Sequence, residues 1–414
     1  MNRMATTISL AFRNLFRNPA RTISTLLAII VGLLGLTLLD GFITYSLHAF
    51  RDSIIRSGTG EVQIFRSRQA QDEGDSDPIP FLFDDSAAIE RELRGMSEVE
   101  DVMPVLSFSA VLSDGDKTRS VQVSASPVEQ ALRDLTERTI VSGSDLAPGE
   151  TGRILLGSGL AHLLKALPGT TLQLFALSKG GGVNTESLTV AGTTSSGIKA
   201  VDDISVSMSL ADAQSLLAVD GVAKMVLFLK SADDTQGFMK RLAALPLGST
   251  LSGLREESWD KLSVGYQYAH SMYELVLAVA RLVVLVVALF SVSGTLSLAV
   301  VDRYREIGTL RAFGTRRPRL LSLLAFEGLA LGIAGTAIGS IAGMAVAAGI
   351  NAAGGLTMPA EPGMSVATVN ILFTPGLEAF WQNCVALLAA SVIAALIPGT
   401  LSFRRTIAEL LRSY

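Results

Sequence analysis

Few residues in this 414-residue sequence are suited to covalent or metal chemistry. The three histidines, His48, His162 and His270, are far apart along the chain, and the one cysteine, Cys384, has no second cysteine to pair with. The sequence has no Gly-x-x-x-x-Gly-Lys-Ser/Thr phosphate loop, no His-Glu-x-x-His pair and no Gly-x-Ser-x-Gly turn. We therefore predict no catalytic residue, no metal site and no cofactor bound by this chain, and we interpret the histidines as structural or surface residues.

The chemistry that remains is ionic. Asp40, Arg281 and Glu327 stand inside or at the edge of long apolar runs, and six arginines crowd the segment 302–319 between two such runs. A charge inside a membrane is costly unless it is paired, so each of the three is expected to have a partner. The elements that position these charges are the apolar runs themselves.

Four apolar runs are long enough to cross a hydrocarbon core of about 30 Å, which takes about 20 residues. Charged residues make up 17% of the chain, below the roughly 25% of soluble proteins, which also indicates a membrane protein. The first run exceeds the apolar part of a signal peptide and no Ala-x-Ala site follows it, so we expect it to be retained.

Charge distribution predicts the topology. The segments 1–21, 302–319 and 402–414 together carry 13 basic and three acidic residues, whereas the chain from Asp40 to His270 carries 20 basic and 31 acidic residues. Short basic segments stay in the cytoplasm, so both termini and the loop are predicted inside, and a nucleic-acid partner is excluded because basic residues form no stripe on a soluble face. The predicted segments are a cytoplasmic amphipathic surface helix (1–21), spans at 22–47, 274–301, 320–350 and 379–401, an external domain (48–273), a cytoplasmic loop (302–319), an external loop (351–378) and a cytoplasmic tail (402–414).

This topology suggests partners for the charges inside the membrane. Asp40 falls near the outer end of the first span, and Arg281 falls about 20 residues from the inner end of the second, which is a full span away. We hypothesise that the two approach each other at the outer membrane boundary. Glu327 lies about two turns into the third span, where it could pair with an arginine of the loop or form a hydrogen bond within the bundle; proton transport is the alternative.

The arginine-rich loop has the pattern of a short helix. Ile307, Leu310 and Phe313 recur at helical spacing, and Gly314 and Pro318 can end the helix. The pattern predicts a helix over 306–314 that lies at the membrane surface with an apolar ridge and a charged flank.

The run RYREIGTLRAFGTRRPRLLSLLAFEG, from Arg303 to Gly328, resembles the pattern around the cytoplasmic coupling helix of the MacB/LolC/LolE/FtsX family of ABC-transporter permeases. The alternative is an ordinary basic loop that only sets the topology. The resemblance extends to the surface helix and to a basic tail, although Arg405 and Thr406 stand where the family has a break before its last helix. It implies contacts with an ATPase for Arg305, Glu306, Ile307, Gly308, Leu310, Arg311, Phe313 and Gly314.

The third span carries glycines in two four-residue series that allow close helix contact. The alternative is lipid-facing helix, since glycine is common in membrane spans. We favour helix packing for Gly328, Gly332, Gly335, Gly339 and Gly343.

The external domain is predicted to be α+β, with strand–helix–strand alternation in two halves on either side of a middle piece. Strands are predicted at 60–65 and 224–230, a helix at 126–135 and a polar loop at 68–84. The triplet Gly180–Gly182 is interpreted as a hairpin tip rather than a phosphate site, because no helix start follows it. A helix is predicted to run from Asp260 into the second span without a break. The resemblance implies two porter-like halves with an inserted β-rich subdomain at about 140–210.

The resemblance implies a permease subunit in a bacterial inner membrane, with no enzymatic activity of its own. A separate cytoplasmic ABC ATPase dimer would bind and hydrolyse ATP, and a second permease, identical or related, would complete the transporter. The expected cargo is a lipoprotein or another lipid-like molecule, with an adaptor or carrier protein as a further external partner. MacB-like efflux of peptides or small amphiphiles and FtsX-like signalling to a periplasmic hydrolase remain alternatives.

Overall fold

The computed structural model describes residues 19–83, 85–129, 139–196, 199–244, 251, 253–313, 315–359 and 368–402. Two compact units make up this part of the chain. The membrane unit contains the described residues up to His48, Ala269–Met358 and those from Asn370 onward, and the external unit contains Ala49–Tyr268 and Pro359–Val369. Most of the predicted surface helix and tail, and most of the helix predicted at 126–135, lie outside the described residues.

The helices and strands are numbered in chain order. The helices are α1 Pro19–Ile54, α2 Arg68–Glu73, α3 Ser86–Arg94, α4 Ser158–Leu164, α5 Lys199–Asp202, α6 Leu210–Leu217, α7 Thr235–Ala243, α8 Trp259–Leu262, α9 Val264–Asp302, α10 Tyr304–Ala312, α11 Arg317–Ala352 and α12 Leu377–Ser402. The strands are β1 Val62–Phe65, β2 Val99–Ser113, β3 Thr118–Ser126, β4 Thr139–Gly143, β5 Arg153–Gly157, β6 Thr171–Leu177, β7 Val183–Ser195, β8 Ser205–Ser209, β9 Lys224–Leu229, β10 Arg255–Ser258, β11 Leu356–Pro359 and β12 Thr368–Ile371.

Among the described residues, four helices are long and apolar enough to cross a membrane: α1 with the π-helical turn that follows it, α9, α11 and α12. Their core combines aliphatic side chains of α1 and α9 with small and aliphatic side chains of α12. Its members are Ile29, Leu33, Ala288, Val292, Leu296, Cys384, Leu387, Ala394 and Ala395. The prediction of four membrane helices is therefore confirmed, and each helix begins before and ends after its predicted span, with α9 beginning ten residues earlier.

The second membrane helix starts later than the sequence pattern predicts. A short helix, α8, ends at Leu262, and Ser263 then has an extended backbone with φ −89° and ψ 94° before α9 begins at Val264. The prediction of an unbroken helix from Asp260 is therefore wrong. The apolar pattern could not reveal one residue that leaves the helical region.

The external unit is built on one ten-stranded sheet with the order β10-β1-β9-β2-β3-β8-β5-β7-β4, in which β6 also pairs with β2 and β7. Strand β2 is 15 residues long. Its first part, Val99–Val105, pairs with β9, and its second part, Leu106–Ser113, pairs with β3. Strand β2 is therefore shared by two parts of the sheet, one on the side of β9 and one on the side of β3.

Each part of the sheet has its own hydrophobic core. Leu106 and Leu174 belong to one core, and Ile64 and Leu227 belong to the other. Because β3 and the second part of β2 share the first core with β5 to β8, the β-rich subdomain extends beyond the limits of 140–210 drawn from the sequence.

Local sequence signals explain most of the smaller elements. The Asp85 carboxylate accepts a hydrogen bond from the Ala88 N–H at 2.9 Å and caps α3. Gly181, in the tip between β6 and β7, has a φ of 81°, which glycine adopts without strain. The prediction of a loop at 68–84 is wrong in its first part, because the Ser67 hydroxyl accepts from the Ala70 N–H at 3.1 Å and starts α2.

Candidate functional site

Helix α10, the loop helix, joins α9 to α11 in the membrane unit. It begins at Tyr304 and ends at Ala312, two residues before the limits predicted at both ends. Glu306 lies in its first turn and Arg311 in its last, so both charges oppose the helix dipole favourably. The loop is therefore an ordered helix rather than a plain linker.

The residues predicted to contact a partner differ in exposure. Arg305 and Glu306 are exposed, and Phe313, directly after the helix, is 90% exposed. Ile307 and Arg311 are half-buried, and Gly308 is buried. Leu310 lies within the helix, and Gly314 lies outside the described residues. The helix and the residue after it thus expose two charges and an aromatic ring, whereas Gly308 in the middle of the helix is buried.

The start of the loop helix is tied to α11 by a buried ion pair. The Arg303 Nη1 donates to Glu327 Oε1 at 2.9 Å, and the two side chains are 12% and 1% exposed. Three roles were weighed for Glu327: a pair with an arginine of the loop, a hydrogen bond within the bundle, and proton transport. This contact supplies the first of them. An ion pair is expected at this buried position because the attraction between the two charges offsets the free-energy cost of removing each of them from water.

A second ion pair ties the neighbouring residue to α1. Arg21 Nη1 lies 3.1 Å from Asp302 Oδ2, and these side chains are 45% and 49% exposed. Two adjacent residues of opposite charge therefore hold two different helices at the corner between α9 and α10.

The five glycines of α11 that were predicted to pack face two different helices. A Cβ atom on Gly328 or Gly332 would lie 2.5 Å or 2.9 Å from a Cβ atom of α12. A Cβ atom on Gly335 would lie 2.6 Å from Ile29 of α1. Gly339 and Gly343 also face α1, where a Cβ atom would approach Leu33 and Thr37 at 3.2 and 3.0 Å. The first series thus allows α12 to approach, and the second allows α1 to approach.

At the other end of the membrane unit, Asp40 and Arg281 each hold α12. The Gly376 N–H, just before α12, donates to Asp40 Oδ2 at 2.9 Å, and Arg281 Nε donates to Asn383 Oδ1 at 2.7 Å. A direct contact between the Asp40 and Arg281 side chains remains a prediction, since the two hydrogen bonds described above go to Gly376 and Asn383.

Sequence reasoning missed several residues that hold this outer end. The Asn351 amide brackets the backbone of Phe373, donating to its carbonyl at 2.9 Å and accepting from its N–H at 2.8 Å. The Tyr45 hydroxyl donates to the Asn370 carbonyl at 3.0 Å. Asparagine at the edge of an apolar run, as at Asn351 and Asn383, is a signal that could have indicated them, because an amide there needs a partner.

The external unit contains a cleft of about 320 Å³ lined by Asp52, Ile55, Arg56, Glu61, Glu100, Phe228, Leu229, Lys230 and Ala232. Glu61 is buried, and Glu61 Oε2 accepts from the Leu229 N–H at 3.0 Å. Burial raises the pKa of the Glu61 carboxyl above its usual range. Charged side chains of both signs line this cleft, so it does not suit an acyl chain.

No group of three or more histidine, cysteine, aspartate or glutamate side chains is placed to hold a metal ion in the described part of the chain. His270 lies 3.8 Å from Glu274 one turn along α9, and Cys384 is buried against Ser340. These side chains form contacts within and between helices.

Two family models match the chain. Residues 22–245 match the model described as the MacB-like periplasmic core domain, which is more than half of the chain. Residues 278–409 match the model described as the FtsX-like permease C-terminal.

The chain is similar to two curated proteins. The lipoprotein-releasing system transmembrane protein LolE of Haemophilus influenzae is 24% identical over 339 residues, which are 79% of this chain and 80% of that protein. The protein LolC of the same kind of system in Neisseria meningitidis serogroup B is 25% identical over 256 residues, which are 58% of this chain and 59% of that protein.

Among solved structures, the periplasmic region of MacB from Actinobacillus actinomycetemcomitans is 15% identical, with a TM-score of 0.35 over 50% of this chain and 93% of that chain. The extracellular domain of the transporter YknZ from Gram-positive bacteria is 14% identical, with a TM-score of 0.31 over 43% of this chain and 86% of that chain.

Proposed function

This chain belongs to the MacB/FtsX/Lol family of ABC-transporter permeases, and we propose that it passes ATP-driven motion from a separate cytoplasmic ATPase to its external domain in order to extract or export a lipoprotein or other lipid-like cargo. The family resemblance drawn from the loop sequence is confirmed by the two family-model matches. Members of this family are permeases of the bacterial inner membrane that work with cytoplasmic ABC ATPases.

The observation that carries the proposal is the loop helix. It is a nine-residue helix between two membrane helices. Arg305 and Glu306 in this helix and Phe313 directly after it are exposed. An exposed aromatic ring flanked by charges is typical of the anchor residues in protein interfaces. We expect an ATPase dimer to bind this helix from the cytoplasm, with ATP held by the ATPase and no cofactor held by this chain.

The route to the external domain follows two helices. Both α1 and α9 contain residues of the membrane unit and residues of the external unit without a break in the helix. Helices are stiff along their axis, so a displacement at the cytoplasmic end is carried along the helix rather than lost in a linker. In this proposal two permeases, identical or related, stand side by side with both termini in the cytoplasm.

The lipid-like cargo is supported by the similarity over 79% of the chain to a protein named for lipoprotein release. Efflux of peptides or small amphiphiles is a second candidate, favoured by the match to the MacB-like core domain. Signalling to a periplasmic hydrolase is a third candidate, favoured by the match to the FtsX-like model. An adaptor or carrier protein outside the membrane would take part in the first two.

Reconstitution separates these candidates. The chain, its second permease and the ATPase are placed in vesicles that carry a fluorescent acylated peptide, and release is measured with and without ATP. We expect ATP-dependent release of the acylated peptide. Activation of a cell-wall hydrolase without release, or export of a water-soluble peptide alone, would contradict the lipid-like cargo.

The loop helix is tested by Glu306→Lys. This change reverses an exposed charge in the first turn of α10, where a negative charge is favoured by the helix dipole, and it should reduce ATP-driven release about tenfold. The matched control is Glu378→Lys, the same reversal at an exposed glutamate in the first turn of α12. Equal release from both variants and the unsubstituted chain would remove the role given to the loop helix.

Topology is tested with single cysteines in a chain that carries Cys384→Ala. A cysteine at Thr309, which is exposed in α10, should react with a membrane-impermeant reagent only from the cytoplasmic side. A cysteine at Leu356, which is 45% exposed in β11, should react only from outside. The reverse labelling pattern would contradict the proposed orientation.

A further inference from the structure

We propose that the ion pair between Arg303 and Glu327 is the joint that passes displacement of the loop helix α10 to helix α11. The inference rests on the proposed function in one respect, namely that an ATPase binds and moves α10. It adds a route inside the membrane unit, whereas the route above runs only through α1 and α9.

Arg303 is connected to α10 through its backbone and to α11 through its side chain. The Ile307 N–H donates to the Arg303 carbonyl at 2.9 Å, which is the first hydrogen bond of the loop helix. The Arg303 guanidinium reaches Glu327 of α11 at 2.9 Å. A displacement of α10 therefore moves Arg303, and Arg303 pulls on Glu327.

The burial of the pair makes this connection hard to open. Glu327 is 1% exposed and Arg303 is 12% exposed, so separating them would leave two charges away from water. The neighbouring pair, Arg21 with Asp302, is 45% and 49% exposed, so water can replace either partner. Of these two connections, the one to α11 is firm and the one to α1 opens easily.

Glu327 stands where α11 touches α12. A Cβ atom on the next residue, Gly328, would lie 2.5 Å from the Ala395 Cβ and 2.7 Å from the Ser391 carbonyl oxygen. One turn earlier, a Cβ atom on Gly399 of α12 would lie 2.9 Å from Leu324 of α11. The glycines let the two helices approach so closely that there is no room for an added methyl group, and helices packed this closely do not slide freely. A displacement that reaches Glu327 therefore carries α11 and α12 together.

A purely stabilising ion pair would hold the same geometry without transmitting motion. The two roles differ in what happens when an ATPase moves α10. With a joint, α10 and α11 move as one body in the intact chain and separately once the charge pair is broken. With mere stabilisation, loss of the pair lowers the unfolding temperature and leaves the relative motion of the two helices unchanged.

The experiment uses the full chain, its second permease and the ATPase in lipid bilayers, in a Cys384→Ala background. Spin labels at cysteines replacing Thr309 of α10 and Gly349 of α11, both exposed, report the distance between the helices with and without ATP. We expect ATP to leave this distance unchanged in the unsubstituted chain and to change it in Glu327→Gln, with release reduced about tenfold while ATPase binding stays within about twofold.

Two further variants keep the outcome decisive. The exchange R303E/E327R restores a pair of opposite charges and should restore both the constant distance between the helices and the release of cargo. Arg303→Lys keeps the positive charge but loses the planar guanidinium, and it should reduce release less than Glu327→Gln does. Arg319→Gln is the control, because it removes one exposed positive charge from the same loop and should behave like the unsubstituted chain.

The failures are distinguishable. A distance that ATP changes in the unsubstituted chain, or that stays constant in Glu327→Gln, or an exchange that folds and does not restore release, overturns the joint while leaving the proposed function intact. An unsubstituted chain that binds no ATPase overturns the proposed function, and the joint with it.

Discussion

Helices α9 and α11 are joined by the same short loop, yet they are packed differently. The buried residues of α11 run along its whole length and include Gly328, Gly332, Gly335, Gly339 and Gly343. The buried residues of α9 are four, at four-residue intervals: Ala288, Val292, Leu296 and Val300. The less buried helix, α9, has the more apolar membrane segment, so hydrophobicity does not explain the closer packing of α11.

The difference comes from side-chain size. Inside a membrane, lipid tails are as apolar as leucine, so helices associate through close packing rather than through exclusion of water. Glycine lets the backbones of α1 and α12 approach α11, whereas valine and leucine on most faces of α9 hold neighbours away. Helix α11 therefore packs closely against both α1 and α12, whereas α9 packs against them along one narrow face and keeps wide apolar surfaces exposed.

The largest effect is expected from filling the glycine face of α11. Gly335→Leu would force a side chain into space that Ile29 of α1 occupies, because a Cβ atom there already lies 2.6 Å from Ile29 Cγ2. We expect a loss of about 3 kcal/mol in the free energy of unfolding, the upper range for overpacking. Unfolding in mixed micelles measures it.

Gly349→Leu is the matched control for that change. The same helix carries Gly349, and nothing lies within 4 Å of a Cβ atom there. We expect a change within about 0.5 kcal/mol. Equal losses at Gly335 and Gly349 would show that the loss does not come from the contact with Ile29, because leucine has the higher helix propensity and propensity alone would stabilise both variants.

The next effect compares the two sides of α9. Val292→Ala removes two methyl groups from the core with α1 and α12, and should cost about 2 kcal/mol through lost contacts and a cavity. Val287→Ala removes the same groups from a side chain that is 46% exposed, and should cost less than about 0.5 kcal/mol in the single chain. Thermal unfolding of the two variants measures the contrast, and a large loss at Val287 would mean that α9 has a partner on that side.

A smaller effect tests whether Asp40 of α1 holds the start of α12 at the outer end of the membrane unit. Asp40→Ala leaves the Gly376 N–H without the acceptor that now lies 2.9 Å away, so we expect a loss of about 1 to 1.5 kcal/mol. Asp40→Asn keeps an acceptor oxygen and should cost less. Hydrogen exchange at the start of α12 should report the change, and unaltered exchange in Asp40→Ala would contradict the capping role.

The smallest effect concerns the exposed pair that links α1 to the end of α9. Arg21→Gln should cost less than about 1 kcal/mol, because both partners are nearly half exposed. A loss of several kcal/mol would mean that this pair holds α9 firmly, which would contradict the contrast between the two helices. The same unfolding measurement as for Gly335→Leu detects it.

Patterns that repeat along the chain were readable from the sequence. Apolar runs of the right length predicted α1, α9, α11 and α12, and helical spacing predicted the loop helix to within two residues. The arginine-rich run also carried the family resemblance. These features depend on local periodicity and on the thickness of a bilayer, which the order of residues alone reveals.

Contacts between distant residues were not readable. The spacing of the glycines indicated close packing, but only the structure assigns Gly328 and Gly332 to α12 and Gly335 to α1. The single residue that separates α8 from α9 also escaped prediction. So did the cap at Ser67 and the hydrogen bonds of Asn351 to Phe373, because each depends on one side chain meeting one backbone group.

The sequence by itself determined that four helices cross a membrane, that a basic helix connects two of them, and that a large domain interrupts them. Only the tertiary structure decided which charges meet: Arg303 with Glu327, Arg21 with Asp302, and Asp40 with the start of α12. The physical reason is that burial makes a charge need a partner, whereas the choice of partner depends on how helices pack across hundreds of residues of chain.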